Sequence, residues 1–345
     1  MRNRDKATSI DIAHRAGVSQ ATVSRVLRGS PLVNAQTRKR VEDVARELNY
    51  KVDRHASSLR TQRSGTLALL LFEDPTPDDS HINPFFLAML GSITRACSRA
   101  GQDLLVSFQQ LSDDWHADYE DSMKADGLIL LGYGDYLAYR DKLVNLVERG
   151  THFLRWGAVE PDQPGVSIGC DNFNGGALAA EHLIECGRRR IAFLGDASSH
   201  YPEFQARFHG CEAALQAVGV KMDRALQVDA QSSEESGHAA CLELIGRGVG
   251  FDAVFAASDL IALGAMRALG EHGMRVPDEV AVVGFDDIPQ ARFAYPPLTT
   301  IAQDTTRAGE LLVETLMKLV RDEPAASITM PVSLVVRRSS GAAIG

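Results

Sequence analysis

A short polar stretch near the start of the chain carries side-chain groups that can hydrogen-bond to the base edges of a DNA duplex. Gln20 contributes an amide and Arg25 a guanidinium, whereas Val23, Val26 and Leu27 recur at spacings of three and four. That spacing predicts a helix with one buried apolar stripe. The face that remains for contact with bases comprises Gln20, Ala21, Thr22, Ser24, Arg25 and Arg28.

Another helix is predicted directly before this one, so that the two form a helix-turn-helix. Thr8 can accept the first free amide of the earlier helix, and Asp11 follows three residues later, as in a capping box. Gly17 can take the left-handed conformation that ends this helix, and Ser19 can cap the next one after a short turn. The residues expected to point inward from the earlier helix are Ile10, Ile12 and Ala13.

A third helix is predicted to complete a small head. Residues 29–31, Gly-Ser-Pro, interrupt the second helical pattern, and Asn34 can begin a new helix with Val33 as its hydrophobic staple. Its buried stripe is expected to be Val41, Val44, Ala45 and Leu48. The head closes at Tyr50. Residues 51–63 hold too few apolar side chains to fold unaided, so we interpret them as a conditional hinge.

Charge is divided unevenly along the 345 residues. Residues 1–64 hold 14 Lys and Arg against 6 Asp and Glu, a net +8, and the remainder holds 22 against 39, a net −17, so the whole chain carries −9. A positive head on an acidic body confines the attraction for phosphate to the head. A solvated basic tail is the alternative, but helix caps and an apolar stripe are not features of such a tail.

The body alternates apolar runs with helical patterns. Buried strands joined by helices predict parallel α/β sheets. Because roughly 280 residues exceed one comfortable core, we expect two lobes that face a cleft at the carboxyl ends of the strands. The predicted strands are at residues 67–72, 103–108, 127–131, 191–195, 253–256 and 280–283.

Composition argues against a membrane protein and against a metal site. Five Cys without a C-x-x-C pair, no export signal and no long apolar segment favour a cytoplasmic protein without a membrane anchor. His182 and Glu185 lie one helical turn apart, but no further His or Cys stands at ligand spacing. We therefore expect these two residues on the surface of a helix, with no metal bound.

Two other classes of protein are weaker interpretations. An enzyme on an α/β fold could use Asp286 and Asp287 as acids with a His as base, but the chain has no G-x-S-x-G and no P-loop, and residues 132–134, Gly-Tyr-Gly, lack the third glycine of a dinucleotide site. A secreted binding protein would need an export signal where this chain has its basic head. No catalytic residue and no cofactor is therefore expected.

Short motifs are spread from one end of the chain to the other. They are residues 16–27 and 34–50, Asn83 to Phe86, Asp171-Asn172 with Gly175, His182-Leu183 before Gly187, Ser258-Asp259 with residues 262–264, residues 283–287, and residues 297–300 with Gln303. In this order they resemble the lactose-repressor (LacI-type) family of bacterial transcription regulators. The resemblance implies an N-terminal all-α helix-turn-helix head and a two-lobed α/β effector domain with parallel sheets, similar to the periplasmic binding proteins.

The resemblance also implies roles for residues of the head. The second helix would lie in the major groove, with Gln20 and Ala21 at the positions that set specificity and Arg25 at a base edge. Arg can bind both acceptors of guanine and Gln can pair with adenine. Phosphate contacts are expected from Thr8, Ser19, Thr22, Ser24, Asn34 and Tyr50. Alternatively, Arg25 is a solvated residue, and Ser19 and Asn34 are plain helix caps.

In the hinge, the resemblance places Leu59 where the family inserts a leucine into the minor groove, with Ala56 beside it. Such a wedge partly unstacks a base step and bends the duplex. Val52 stands where the family usually has Pro, which leaves the linker less restricted. A buried contact of Leu59 with the body is the alternative.

Between the lobes, the resemblance implies a small effector. Phe85 would form an apolar wall, Arg207 would bind effector oxygens, and Asp286 would accept hydrogen bonds from hydroxyls. Ser258 is also predicted to bind the effector. Arg155 and Trp156 depart from the family's usual pair, so a stacked neutral sugar and a phosphorylated or carboxylated effector both stay open. The alternatives are an interlobe ion pair between Arg207 and Asp286, and simple buried packing for Trp156.

The expected domains are a DNA-binding head at 1–50, a hinge at 51–64, and an effector-binding and dimerisation domain at 65–345. Its N-lobe spans about 65–173 and 304–328, and its C-lobe about 174–303 and 329–340. The expected function is a homodimeric, sequence-specific repressor of carbohydrate-utilisation genes. A small sugar-like inducer would release it from a palindromic DNA operator. The alternative is a corepressor-dependent regulator, or an activator that responds to a phosphorylated sugar or another polar metabolite. Its expected location is the cytoplasm, at the nucleoid when it is bound to the operator.

Overall fold

The structure of the protein is a computed structural model that describes residues 7–27, 30–50, 63–73, 82–108 and 114–342. The chain divides into two compact units, residues 1–64 and residues 65–345. We describe each unit separately, as the head and the body.

Three helices form the head: Ser9–Ala16, Gln20–Leu27 and Ala35–Glu47. The first is closed by the predicted capping box, because Thr8 Oγ1 accepts from the amide of Asp11 at 3.3 Å and Asp11 Oδ2 accepts from the amide of Thr8 at 2.7 Å. Gly17 ends this helix in the left-handed region, with φ 62°. The buried core that holds the three helices together consists of Ile12, Ala13, Ala16, Val23, Val26, Val41 and Ala45.

The prediction that Ile10 points into the core is wrong, because its side chain is 62% exposed. Ile10 lies two positions before the fully buried Ile12, which is about 200° around a helix with 3.6 residues per turn. The apolar stripe of this helix therefore runs through Ile12, Ala13 and Ala16 and leaves Ile10 outside it.

The first sheet of the body has six parallel strands. Helices Pro84–Arg99, Tyr136–Glu148 and Thr305–Leu319 belong to this lobe, together with a short π-helix, Ala117–Asp121. In spatial order the strands are Ile328–Met330, Val166–Cys170, Phe153–Trp156, Leu128–Tyr133, Thr66–Glu73 and Asp103–Phe108.

The second sheet also has six strands, and all pairs are parallel except one at an edge, where Val332–Val335 runs antiparallel to Thr299–Gln303. Its helices are Asn172–Glu185, Pro202–Ala217, Glu234–Gly246, Asp259–Glu271 and the short Pro289–Phe293. In spatial order the strands are Val332–Val335, Thr299–Gln303, Ala281–Asp286, Ala253–Ala256, Ile191–Leu194 and Gln227–Val228. Short 3₁₀ turns occupy Arg224–Leu226 and Arg338–Ser340.

The chain passes between the two sheets three times. It leaves the first sheet after Cys170, returns after Gln303, and crosses again at Pro331, between strands Ile328–Met330 and Val332–Val335. The last crossing lies a little beyond residue 328 because Met330 still pairs with Cys170 in the first sheet. Strands of both sheets therefore end at a shared cleft, where the side chains that follow them can meet.

The segment at residues 337–341 closes the second lobe through buried polar contacts. Ser340 Oγ lies 2.8 Å from His182 Nε2 and 3.0 Å from Thr299 Oγ1. The prediction that His182 lies on a helix surface is therefore wrong, because only 7% of it is exposed and burial lowers the pKa of its imidazole. Among the described residues, no group of three or more His, Cys, Asp or Glu could hold a metal ion.

Helices Asn172–Glu185 and Pro202–Ala217 pack closely because glycines lie where they cross. A Cβ at Gly176 would overlap the carbonyl oxygen of Arg207, and one at Gly210 would overlap the carbonyl oxygen of Phe173. Both obstacles are backbone atoms, which cannot rotate away. The close crossing fixes the height at which Arg207 leaves its helix toward the cleft.

We predict that Gly176→Ala destabilises the body by about 1–3 kcal/mol, because the extra methyl group forces the two helices apart. Gly270→Ala is the matched control: Gly270 is also helical, but a Cβ there meets no atom within 4 Å, so Ala should stabilise by about 0.5–1 kcal/mol. Urea unfolding followed by tryptophan fluorescence measures both changes, since Trp115 and Trp156 both lie in the body. Equal midpoints for the two variants would contradict the packing argument.

Candidate functional site

The predicted base-reading face of the head is exposed to solvent. Gln20, Ala21 and Arg25 are exposed on helix Gln20–Leu27, and Thr22 and Ser24 are partly exposed beside them. The opposite face of the same helix carries Val23 and Val26 into the core. The apolar stripe thus orients the polar residues outward, as the sequence pattern indicates.

Several residues expected to contact phosphate also cap helices. Ser19 Oγ accepts from the amide of Thr22 at 3.2 Å, and Asn34 Oδ1 accepts from the amide of Thr37 at 2.8 Å. Thr8 closes the first helix in the same way, and Tyr50 packs partly buried against the core. Capping uses only part of each group's hydrogen-bonding capacity, so a phosphate contact is compatible with it.

The hinge residues that carry the wedge hypothesis, Ala56 and Leu59, lie outside the described residues, as do Val52 and Arg28. The prediction of a minor-groove wedge therefore stays a prediction.

In the body, five polar side chains from the ends of strands and the starts of helices meet between the lobes. Tyr133 ends a strand of the first sheet, Asp286 and Gln303 end strands of the second, Asn172 begins the helix after the first crossing, and Arg207 lies on helix Pro202–Ala217. We call these five residues the cleft cluster.

The hydroxyl of Tyr133 is the centre of the cleft cluster. It accepts from Arg207 Nη2 at 3.0 Å and donates to Asp286 Oδ1 at 3.3 Å. Gln303 Nε2 donates to the same Asp286 oxygen at 2.7 Å, and Arg207 Nε donates to Asn172 Oδ1 at 2.8 Å. Arg207 and Asp286 both belong to the second lobe, so the alternative of an interlobe ion pair between them is wrong. Within the cleft cluster, the residue of the first lobe is Tyr133.

Burial dominates the electrostatics of the cleft cluster. Arg207 is fully buried, its Nη1 donates to the carbonyl oxygen of Ala257, and its guanidinium carbon lies 3.7 Å from the ring centre of Phe285. Burial raises the pKa of Asp286 to about 7, against the opposing effects of Arg207, Gln303 and Tyr133. The buried carboxyl of Asp259 behind it also has its pKa raised by burial and by Asp286.

Aromatic side chains line the first lobe beside the cleft cluster. The ring of Phe85 is stacked nearly parallel to that of Tyr133, with centroids 6.2 Å apart, and lies 6.1 Å from Trp156. Phe85 and Trp156 are 1% and 5% exposed, so both pack in the core as well as face the cluster side of the sheet. The prediction that Phe85 forms an apolar wall of the effector site stays a prediction.

Arg155 is not brought to the cleft cluster. Side chains alternate along a strand, so Arg155 lies on the same face of the sheet as Phe153 and on the opposite face from Trp156. There its Nε donates to Ser167 Oγ at 2.9 Å, and its Nη2 donates to the carbonyl oxygen of Ala158 at 3.0 Å. The same Nη2 donates to Gln163 Oε1, and the guanidinium carbon lies 5.1 Å from the ring centre of Tyr136.

Further contacts join the lobes on either side of the cleft cluster. Ser258 caps helix Asp259–Glu271 and accepts from Ser232 Oγ at 2.8 Å, and Asn83 Nδ2 of the first lobe donates to Ser232 Oγ at 3.1 Å. The amide of Ala158 donates to Glu203 Oε1 at 2.7 Å. Ser258 thus lies at a second contact between the lobes rather than in the cleft cluster.

The predicted site does not include Tyr133, and Asn172 and Gln303 are predicted only as parts of motifs. Tyr133 appears in the sequence analysis only within an incomplete glycine motif. The usable signal was its place at the end of a buried strand, since ligands of parallel sheets bind at those ends. The same rule identifies Gln303 and, one step later, Asn172.

Among the described residues, no helix is both long enough and apolar enough to cross a membrane. A helix-turn-helix head joined to a two-lobed body with a polar cluster in its cleft defines the class of ligand-responsive DNA-binding regulators.

Comparison with known proteins agrees with this class. The model described as "Bacterial regulatory proteins, lacI family" matches residues 10–53, and that of the periplasmic binding protein-like domain matches residues 180–340. The transcriptional regulator CelR of Thermobifida fusca is 34% identical over 97% of each chain. RegA of Clostridium saccharobutylicum is also 34% identical, over 92% of this chain and 95% of its own.

Solved structures extend the comparison to the fold. The lac repressor dimer bound to operator and the anti-inducer ONPF has a TM-score of 0.81 at 27% identity, covering 98% of this chain and all of that one. A complex of CelR with cellobiose has a TM-score of 0.72 at 32% identity, covering 96% and 99%. The chain therefore belongs to the LacI family of bacterial regulatory proteins. It is a DNA-binding transcriptional regulator and not an enzyme.

We predict that Asp286→Asn changes how stability depends on pH. The folded protein keeps the proton of Asp286 up to about pH 7, whereas an unfolded carboxyl releases it near 3.8, so wild-type stability falls as pH rises between these values. The Asn variant cannot titrate. Its unfolding free energy should be close to that of the wild type at pH 4 and exceed it by on the order of a few kcal/mol at pH 8.

Urea titrations of both proteins at pH 4, 6 and 8 test this expectation. A variant that is less stable than the wild type at every pH would show that Asp286 is held ionised.

Proposed function

We propose that this regulator is a homodimeric repressor that binds a palindromic operator and is released by a neutral, sugar-like inducer bound at the cleft cluster. The observation that carries the proposal is the shared hydroxyl of Tyr133, which joins the first lobe to Arg207 and Asp286 of the second. A ligand that takes over these hydrogen bonds changes how the lobes are held together.

A polyhydroxylated ligand suits the chemistry of the cleft cluster. Arg207 offers donors, Asp286 accepts or donates according to its protonation, and Gln303 Oε1 is buried without a hydrogen-bond partner in the described structure. Phe85 and Trp156 are buried beside the cleft cluster, so a pyranose ring would stack on them only when the lobes separate and uncover them. The relative CelR has been solved with cellobiose, and the lac repressor with ONPG, which supports this ligand class.

The placement of Arg155 favours a neutral ligand over a phosphorylated one. Its guanidinium binds Ser167, Ala158 and Gln163 on the far face of the sheet, so the cleft cluster contains one guanidinium, that of Arg207. We propose that Arg155 positions the 157–163 segment, which contacts Glu203 of the second lobe through Ala158.

A two-fold operator requires a two-fold protein. The second lobe exposes Phe293 by 86% and Tyr295 by 97%, beside a surface groove lined also by Leu263 and Met266. Large exposed aromatics next to apolar neighbours are typical of protein interfaces. This surface and the dimeric lac repressor support a homodimer. Such a regulator acts where the chromosome lies, in the bacterial cytoplasm.

Effector and operator are coupled reciprocally in this proposal. An inducer that weakens operator binding by a given factor is itself bound more weakly, by the same factor, when the operator is present. We propose induction as the sign of the coupling. A ligand that tightens operator binding would instead make the protein a corepressor-dependent regulator.

For the head, we propose that Gln20, Ala21 and Arg25 read base edges and that Thr8, Ser19, Thr22, Ser24, Asn34 and Tyr50 contact phosphates, with Ala56 and Leu59 as the minor-groove wedge. We predict that Arg25→Ala lowers preference for one base pair in each half-site by about 1–3 kcal/mol as well as weakening binding. Arg46→Ala is the control, since Arg46 is 78% exposed and pairs with Asp43 on the third helix.

Selection of duplexes from a random pool, with and without candidate sugars, measures both variants. Arg46→Ala should keep the wild-type palindrome. An Arg25→Ala protein that loses affinity equally for all sequences would make Arg25 a phosphate contact.

We predict that Asp286→Asn binds operator normally but binds its inducer with about 10–100-fold lower affinity, because the carboxylate that accepts hydrogen bonds in the cleft cluster is lost. Calorimetry at pH 8 with cellobiose and with a phosphorylated sugar measures ligand binding. Glu243→Gln, on an exposed helix face of the same lobe, is the control and should match the wild type. Tight binding of only the phosphorylated sugar would contradict the neutral-ligand proposal.

A further inference from the structure

In the head, one hydrogen bond links the first two helices through their exposed side chains. Gln20 Nε2 donates to Ser9 Oγ at 2.9 Å. Gln20 is the first residue of its helix and Ser9 is the first residue of the preceding one, so the bond joins two helix starts that are 11 residues apart.

The backbone around Ser9 is held by a capping box and by the core of the head. The residue before it, Thr8, forms the capping box with Asp11, in which Thr8 Oγ1 also donates to Asp11 Oδ2 at 2.7 Å. Helix Ser9–Ala16 is then anchored by Ile12 and Ala13 in the core of the head. The backbone position of Ser9 is therefore set by the fold.

A glutamine amide presents an oxygen acceptor on one side and a nitrogen donor on the other. Adenine is bound in the major groove by a pair of hydrogen bonds, in which the amide oxygen accepts from N6 and the amide nitrogen donates to N7. A contact that holds the amide in place also sets where its oxygen and its nitrogen meet a base.

We propose that Ser9 is a positioning residue for base reading, which holds the Gln20 side chain where its amide can pair with adenine. One N–H of Nε2 is used by Ser9 Oγ, and the second N–H and Oε1 remain for the base. This proposal rests on the proposed base-reading role of Gln20. Ser9 itself has no need to touch DNA.

The test compares full-length wild type, Ser9→Ala, Ser9→Thr, Gln20→Ala and the double variant Ser9→Ala with Gln20→Ala, on the selected operator and on duplexes changed at one base pair at a time. Ser9→Ala should lower the preference for adenine at the base pair that Gln20→Ala identifies by about three- to tenfold. Ser9→Thr keeps the hydroxyl and should restore it. The salt dependence of binding should not change, since no phosphate contact is lost.

The double variant separates a positioning role from a direct one. Removing Ser9 in a protein that already lacks Gln20 should have no further effect on operator affinity. If it lowers affinity for all duplexes, Ser9 contacts the DNA backbone and the proposal is overturned. If Gln20→Ala reduces the preference at no base pair, Gln20 does not read a base and the proposal for Ser9 is overturned with it. If Gln20→Ala reduces the preference at one base pair and Ser9→Ala does not, only the proposal for Ser9 is overturned.

Thermal unfolding followed by circular dichroism checks that the head still folds. Ala is a good helix former at this position, and the capping box of Thr8 and Asp11 does not involve the Ser9 side chain. A changed base preference in a normally folded Ser9→Ala protein would support the positioning role.

Discussion

The arrangement of the body depends on one buried hydroxyl. Tyr133 leaves the last position of a strand in the first sheet, and its oxygen lies between Arg207 and Asp286 of the second. A guanidinium and a carboxyl that are both removed from water need partners for their polar atoms, and each finds one here in the other lobe. Polar groups thus contribute to how the two lobes are held together.

The rest of the body serves to hold these groups in place. Gly176 and Gly210 bring two helices close enough to set Arg207 at the right height, and Asp259 accepts from the amide of Ile288 at 2.8 Å, which holds the turn that follows Asp286. Asp286 has φ 119°, a conformation that a residue with a side chain keeps only when its surroundings enforce it. Close helix packing and an enforced backbone conformation therefore hold Arg207 and Asp286 in place.

The sequence predicted the three helices of the head and six of the strands that the structure describes, but not strands such as Phe153–Trp156, Val166–Cys170 and Thr299–Gln303. Caps such as Thr8 and Asn34, and apolar runs such as 67–72, depend on near neighbours, so their pattern predicted helices and strands well. It was insufficient where distant parts of the chain meet. His182 is buried because Ser340, 158 residues later in the chain, packs against it. Arg155 points away from the cleft because side chains alternate along a strand, which places Arg155 on the same face as Phe153. Tyr133 is prominent only once two sheets face each other.

The crossing at Pro331 has a mechanical consequence for any movement of the body. Strand Ile328–Met330 forms one edge of the first sheet, and strand Asp103–Phe108 forms the other, five strand spacings away. At about 4.8 Å per spacing this is a lever of roughly 24 Å, so a ten-degree rotation about the crossing displaces the far edge by about 4 Å. A small rotation of the sheet therefore becomes a larger displacement at its far edge strand, where Val106 and Phe108 are exposed.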